Sequence, residues 1–298
     1  MTPLTLLDGS IGQELVKRSG DPATPLWSTQ VMIDRPDLLR DVHASYFAAG
    51  ATVATANTYA TLRDRLARVG RADQIGVLAG DAVTAARAAR DAHRSGRVAG
   101  SIGPLVQSYR PDLCPPTAEA AAIYAEPVAA IAPRADLLLL ETMSSVDQAR
   151  GAMMAARETD LPVWLAVSVM DEDGTRLRSG EPLAALAPLV AELPPDALLI
   201  NCAPPEAIDQ GLDTLKGFGL PFGAYANGFT RIGEGFLGPA PTVDALQSRH
   251  DLTPAAHAAA AMRWVERGAT IVGGCCEVGP AHIAELARRI REAGHTIV

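Results

Sequence analysis

The chain has 298 residues, 48% of them hydrophobic, which is enough to bury a large core, and a formal net charge of -8 with a pI near 5.3, which disfavours a phosphate-binding surface. It carries no long block of basic residues, no apolar run of bilayer length and no basic-then-apolar leader pattern in its first thirty residues, so nucleic-acid and membrane partners are not expected and a cytoplasmic protein is. Four cysteines do not make a disulfide scaffold. The only two lysines, Lys17 and Lys216, do not end apolar runs, which argues against a Schiff-base aldolase.

Short apolar runs alternate with alanine-rich helical stretches from one end to the other. In chain order the runs are Leu4 to Leu7, Ala51 to Ala56, Val98 to Ile102, Leu137 to Leu140, Val163 to Val169, Ala197 to Ile200, Phe222 to Tyr225 and Ala269 to Val272. Repeated βα units imply a parallel sheet, and eight strands imply a closed (β/α)8 TIM barrel. Helix starts are expected at Thr117 with Glu119, at Ser144 with Asp147, at Thr253 before Pro254 and at Gly279 before Pro280. No linker divides the chain, so one domain is expected over 1-298. Three irregular connections, Ser19 to Trp27, Pro104 to Pro116 and Gly228 to His250, read as loops that could wall or cover a site. Within the last, Gly233-Glu234-Gly235-Phe236-Leu237-Gly238 fits G-x-G-x-x-G, but no strand leads into it and Pro239 and Pro241 follow, so a dinucleotide site is rejected there.

Active sites of such barrels lie at the carboxyl ends of the strands. The runs end in Asp8-Gly9, Asn57-Thr58-Tyr59, Gly103-Pro104, Glu141-Thr142, Asn201-Cys202, Asn227-Gly228 and Gly273-Gly274-Cys275-Cys276. Three cysteines therefore stand at strand ends, where three thiolates would make a soft, open zinc site. Neighbouring residues of a regular strand face opposite ways, so Cys275 and Cys276 share a metal only if the chain leaves strand geometry, which Gly273 and Gly274 permit. A vicinal disulfide, or buried cysteines acting as small hydrophobes, are the competing readings.

In combination, Leu7-Asp8-Gly9 with Glu14-Leu15, Asn57-Thr58-Tyr59, Gly100-Ser101-Ile102-Gly103-Pro104, Glu141-Thr142, Asn201-Cys202, Tyr225-Ala226-Asn227-Gly228 and Gly273-Gly274-Cys275-Cys276 with Pro280-Ala281-His282-Ile283 resemble the ordered motifs of the homocysteine S-methyltransferase family. The resemblance spans almost the whole chain. It implies a zinc-dependent barrel in which Cys202, Cys275 and Cys276 hold Zn2+ and the sulfur of homocysteine takes the open position. Zinc would deprotonate a thiol that is otherwise mostly protonated at pH 7. By the same resemblance Asp8 and Glu141 anchor the substrate ammonium, with main-chain N–H groups near Gly9 and Ser10 receiving its carboxylate.

Asp8 also suits a helix N-cap before Ile11. Glu141 would be costly to bury without a partner. Asn57, Thr142 and Asn227 are candidates for positioning substrate or the outer zinc shell, or for bonding strand-end backbone. His282 reads as a first-turn or outer-shell residue, and Cys114 as a lone thiol without a role.

The acceptor implied is homocysteine. S-Methylmethionine is the first choice of donor, because a sulfonium leaves as a neutral thioether; betaine or another ammonium or sulfonium compound is the alternative. The donor-side stretch Gln107 to Asp112 departs from the family's usual pattern, with Tyr109 and Trp27 as possible cation-facing walls. Two other classes are a zinc hydrolase, which lacks a strand-end histidine base, and a non-catalytic zinc or redox barrel, which leaves Asp8 and Glu141 unexplained.

Overall fold

The computed structural model describes residues 2–21, 24, 26–238 and 245–298. Pro239 and Pro241, which follow the glycine-rich hexapeptide, lie outside the described residues. The strands are β1 (Pro3–Leu6), β2 (Val53–Thr55), β3 (Arg97–Ile102), β4 (Leu137–Met143), β5 (Val163–Val167), β6 (Ala197–Asn201), β7 (Phe222–Ala226), β8 (Ile271–Gly274) and β9 (Thr296–Ile297). They pair in the order β2-β3-β4-β5-β6-β7-β8-β1-β9, and every ladder is parallel. A parallel bridge between Leu7 and Val53, with Thr52 N donating to Leu6 O at 2.7 Å and Asp8 N to Val53 O at 3.2 Å, joins β1 to β2. That contact closes the ring of eight. The two-residue β9, which the sequence reading lacked, adds to β1 through Pro3 and Leu4.

The helices between strands are α1 (Ile11–Ser19), α2 (Ser28–Asp34), α3 (Pro36–Ala49), α4 (Arg63–Ala67), α5 (Ile75–His93), α6 (Thr117–Ile131), α7 (Val146–Ala156), α8 (Ala187–Glu192), α9 (Pro205–Gly217), α10 (Glu234–Leu237), α11 (Pro254–Glu266) and α12 (Pro280–Glu292). Thr253 caps α11 as expected, its side chain accepting from Ala256 N at 3.2 Å. The cap of α7 is Ser145 rather than Ser144, accepting from Gln148 N at 3.1 Å. Thr117 is the first helical residue after Pro116 and makes no side-chain cap. The glycine-rich hexapeptide forms only the four-residue α10.

Two buried clusters explain the strand sequences. Leu7, Val53, Ala99, Leu137, Leu139, Trp164, Ala166, Ala197, Leu199, Tyr225 and Ile271 pack inside the barrel, while the alternate residues, such as Leu138, Leu140, Leu165 and Leu198, pack against the helices. Both faces are buried, hence the continuous apolar runs. Alternation carries functional residues inward at the carboxyl end: Thr55 follows Val53, Ser101 follows Ala99, Glu141 follows Leu139 and Asn201 follows Leu199.

Candidate metal and substrate site

The carboxyl ends of the strands surround a cavity of about 180 Å³ whose lining includes Asp8, Glu141, Cys202, Cys275 and Cys276. Three local departures from strand geometry build it. The β4–β5 register shifts between Leu140 and Met143, and within that bulge Thr142 has a φ of 65°. Its amide donates to Asn201 Oδ1 at 2.8 Å, and Asn201 Nδ2 donates to Thr142 Oγ1 at 2.9 Å, so a buried amide side chain on β6 holds the unfavourable conformation in place. Cys202 is the second, with a φ of 51°; its amide donates to Tyr225 O at 3.2 Å. Its carbonyl accepts from Ser168 Oγ and from Arg178 Nη2, each at 3.3 Å.

At the third departure β8 stops at Gly274 and the chain turns. Cys275 N donates to Ala226 O, and Gly228 N to Cys276 O, both at 2.8 Å. Neither Gly273 nor Gly274 uses a positive φ. Close approach requires them instead: a Cβ at Gly273 would meet the Leu7 side chain and Asp8 O, and one at Gly274 would meet the Val278 side chain.

The three cysteine sulfurs lie within 4.8 Å of one another. Cys202 and Cys275 are joined as a disulfide with their Cα atoms 5.7 Å apart, so the bonded pair bridges two strands and the vicinal pairing considered from the sequence is not formed. Cys276 is free, and its Sγ is 3.8 Å from Cys202 Sγ. Tetrahedral zinc with Zn–S bonds of about 2.3 Å sets sulfurs about 3.8 Å apart. Cys276 and Cys202 already stand at that spacing, and reduction would free Cys275 to join them. Burial, with Glu277 and Glu141 adding repulsion, pushes the Cys276 thiol up to about 12, an environment that favours a cation beside the sulfur. The residues fit a soft divalent metal.

Both carboxylates are buried beside the thiols. Asp8 accepts from Thr55 N at 2.6 Å and from Thr55 Oγ1 at 2.7 Å. Burial outweighs those bonds and, with Glu141 nearby, raises its pKa from 3.8 to about 7. Glu141 accepts from Ser101 Oγ and, at 3.1 Å, from the Tyr225 hydroxyl, and burial raises its pKa too. Neither has a cationic partner in these contacts. The N-cap alternative for Asp8 is not what the structure shows: Ser10 holds the cap position of α1.

The other sequence candidates separate. Gly9 sits where a Cβ would meet Val278 O and the Tyr46 ring. Ser10 N donates to Val278 O at 3.0 Å and Ile11 N to Gly9 O at 2.9 Å, so Ser10 N, expected to receive a carboxylate, is already engaged. Asn57 lines the cavity but spends its oxygen on Ser28 Oγ at 2.8 Å, tying β2's end to α2. Asn227 is not in the lining; its Oδ1 accepts from Phe229 N at 3.3 Å, a turn-stabilising bond. His282 is a first-turn residue whose Nδ1 accepts from Gly279 N at 3.2 Å.

Sequence reasoning did not single out Thr55, Ser101 or Tyr225 as partners of the two acids, although strand alternation from Val53, Ala99 and Gly223 places all three inside. It also passed over Arg178, whose guanidinium pairs with Asp171 at 2.6 Å and lies 4.8 Å from the Tyr109 ring centre. Tyr109 and Trp27 both line the cavity. Above them the two long loops meet: Gln107 Nε2 donates to Phe236 O at 3.2 Å and Gly238 O at 3.1 Å, and Arg110 Nη1 donates to Leu237 O at 2.8 Å.

The fold and site together define a (β/α)8 barrel with three clustered cysteine sulfurs and two buried acids at its mouth. Residues 5–290 match the family model described as homocysteine S-methyltransferase, and the chain belongs to that family. It is 33% identical to the homocysteine S-methyltransferase of Escherichia coli (strain K12), covering 96% of this chain and 95% of that protein. With the homocysteine S-methyltransferase YbgG of Bacillus subtilis (strain 168) it shares 28% identity over 96% of this chain and 94% of that one. The crystal structure of the homocysteine methyltransferase MmuM from Escherichia coli in its metallated form superposes with a TM-score of 0.79 at 30% identity, covering 97% of this chain and 96% of that chain. That neighbour was solved with metal bound, and in this chain the three cysteine sulfurs form a group of the size that could hold one.

Proposed function

We propose that this protein transfers a methyl group from a sulfonium donor, S-methylmethionine foremost, to the sulfur of L-homocysteine, giving methionine, and that residues 1-298 act as one homocysteine-binding barrel domain. The observation that carries the reading is the meeting of three cysteine sulfurs and two buried carboxylates in one cavity. Cys202, Cys275 and Cys276, once reduced, would hold Zn2+, which supplies the acidity that makes the homocysteine thiol a thiolate at neutral pH.

The chain's own residues do the rest. Asp8 and Glu141 receive the homocysteine ammonium; Thr55, Ser101 and Tyr225 aim those carboxylates. The Thr142–Asn201 pair fixes the bulge from which Glu141 projects. Gln107 and Arg110 draw the loop over the cavity to the segment 236–238, which limits the entry of water. In the transfer a new bond forms between the homocysteine sulfur and the methyl carbon as the methyl–sulfonium bond breaks. Its electron pair stays on the departing neutral thioether, so S-methylmethionine and homocysteine give two methionines and the thiol proton goes to solvent. Cationic donor and anionic nucleophile attract, and their charges cancel as the bond forms.

The test is methionine formation by reduced, zinc-loaded protein from homocysteine, with S-methylmethionine, S-adenosylmethionine, betaine and dimethylsulfonio compounds offered side by side. Turnover with S-methylmethionine as the best substrate is expected. Turnover with betaine alone would reject the sulfonium donor, and none with any donor would reject the reaction as stated.

A further inference from the structure

The acids at one wall of the cavity are answered by two arginines at another. Arg65 and Arg68 both line it, from α4 and the residue that ends it, three positions apart and so on one helix face. Their partners are neutral. Arg65 Nη2 donates to Pro104 O at 2.9 Å and more weakly to Ser108 Oγ at 3.4 Å, and Arg68 Nη2 donates to Val106 O at 2.7 Å. Arg65 Nε is buried with no partner at all. The neighbouring carboxylate, Asp64, makes no ion pair with either arginine; it accepts from Val106 N through Oδ2, and its Oδ1 is buried without a hydrogen-bond partner.

The ring of Tyr59, which also lines the cavity, lies against Arg65. The Arg65 guanidinium lies 5.3 Å from its centre, its hydroxyl shares a 2.7 Å hydrogen bond with Ser108, and Tyr109 continues the same wall toward Phe236 at 5.8 Å between ring centres. A buried guanidinium nitrogen without a partner, as at Arg65 Nε, is costly to maintain; Arg68 beside it is exposed, and forks of N–H groups of this kind suit a carboxylate. A bare cation would instead be repelled by two like charges in a partly desolvated cavity.

We propose that Arg65 and Arg68 form the subsite for the carboxylate that S-methylmethionine, the donor proposed above, carries beside its sulfonium, so that these two residues select carboxylate-bearing donors. The proposal rests on the reading that the second substrate is a cationic methyl donor. Homocysteine's ammonium is taken by Asp8 and Glu141 and the donor's carboxylate by the arginines, with the donor's cationic centre facing the thiolate. The positions at which the two substrates are held are therefore opposite in charge, which also keeps homocysteine from entering the donor end by its ammonium.

The experiment compares wild type, Arg65→Gln and Arg68→Gln with S-methylmethionine, with betaine and with trimethylsulfonium, a cation lacking a carboxylate. Donor KM, kcat and homocysteine KM are measured from methionine formation, and S-methylmethionine binding is measured by calorimetry. Wild type is expected to use a carboxylate-bearing donor and to discriminate strongly against trimethylsulfonium. Each substitution should raise the KM for that donor by about 10- to 100-fold, as loss of a charge-assisted hydrogen bond does, with homocysteine KM unchanged and no penalty on trimethylsulfonium. Arg68→Gln removes only one backbone contact, so it reports on the subsite even where Arg65→Gln disturbs the loop at Pro104. Wild type that uses trimethylsulfonium as well as S-methylmethionine, or variants with unaltered donor KM, would overturn the carboxylate subsite while leaving the cationic donor intact. Wild type that neither binds nor turns over any of the three would overturn the donor reading and the subsite with it.

Discussion

Replacing Asp8 by Asn should stabilise the protein while damaging the enzyme, and the size of the gain should depend on pH. Burial raises the Asp8 pKa from 3.8 to about 7, against the opposing effect of two bonds from Thr55 and with help from Glu141. For an acid whose folded pKa lies above its unfolded one, the unfolded chain holds fewer protons across the interval, so stability falls as pH rises from about 4 to about 7 and the loss is complete above that. At about 1.4 kcal/mol per tenfold, the interval corresponds to roughly 4 kcal/mol at pH 8. Below pH 4 it is absent. Asn keeps the shape and one acceptor for Thr55 N and carries no charge to bury. In the substrate-free, metal-free protein the variant should therefore exceed wild type in denaturant unfolding at pH 8 by up to about 4 kcal/mol, which is roughly 8 °C in Tm at about 2 °C per kcal/mol for a chain of this size. The advantage should shrink steadily toward pH 4.5. Homocysteine KM should rise at least tenfold, since the ammonium loses a charged acceptor. A difference in stability that is the same at pH 4.5 and pH 8, or a KM that does not move, would refute the assignment of Asp8 as a strained acid kept for substrate; Glu141, buried beside it with its own pKa raised, titrates with it and will broaden the transition.

Alanine at Cys276 should remove stoichiometric metal and all methyl transfer, read by metal analysis of the reduced protein; full zinc retention would discard the three-thiolate site. Asn201→Ala leaves the Thr142 amide buried without its acceptor, which should cost about 1–3 kcal/mol in denaturant unfolding and raise homocysteine KM by loosening the bulge that aims Glu141. Unchanged kinetics would show that the bulge holds without it. In Gly9→Ala the new methyl meets Val278 O and the Tyr46 ring, so a loss of about 1–3 kcal/mol or more is expected by thermal unfolding, and a neutral result would mean that the turn after β1 can shift.

The barrel was legible because both faces of each strand are buried, which writes βα repetition into the chain as apolar runs, and because a barrel confines chemistry to strand ends. That is why Asp8, Glu141 and the three cysteines could be found without knowing any distance. β9 was not legible, since two residues carry no period. Ser101 and Tyr225 resemble ordinary strand residues, and only their phase with Ala99 and Gly223 marks them as inward-facing. The bond between Thr142 and Asn201 depends on a bulge that shifts the β4–β5 register, and no local pattern encodes a shift in pairing. Asn227 could not be decided from its place at a strand end, which suits a site residue and a backbone-bonding one alike; its side chain is taken up by the turn that follows. The arginines that line the cavity were hidden because Arg65 and Arg68 sit on a short helix and at its end, where position along a strand says nothing.

The electrostatics of the cavity give one further quantity that can be measured. Asp8, Glu141 and Cys276 are all displaced toward their neutral forms, each chiefly by burial, so the resting site is one in which negative charge is suppressed until cations arrive. A thiol held at about 12 is protonated at pH 7, and an ordinary thiol near 8.5 is largely so. Metal uptake by the fully reduced protein at pH 7 must then expel the protons of its ligands. With Cys202, Cys275 and Cys276 all coordinating, titration calorimetry in buffers of different ionisation enthalpy should count about three protons released per metal. The count should fall to about two when Cys276 is replaced by Ala and residual binding is followed at high metal concentration. A release near zero in the wild type would mean that the metal binds outside the thiol cluster, and the three cysteines would then be an oxidisable pair and a bystander rather than the centre of the reaction.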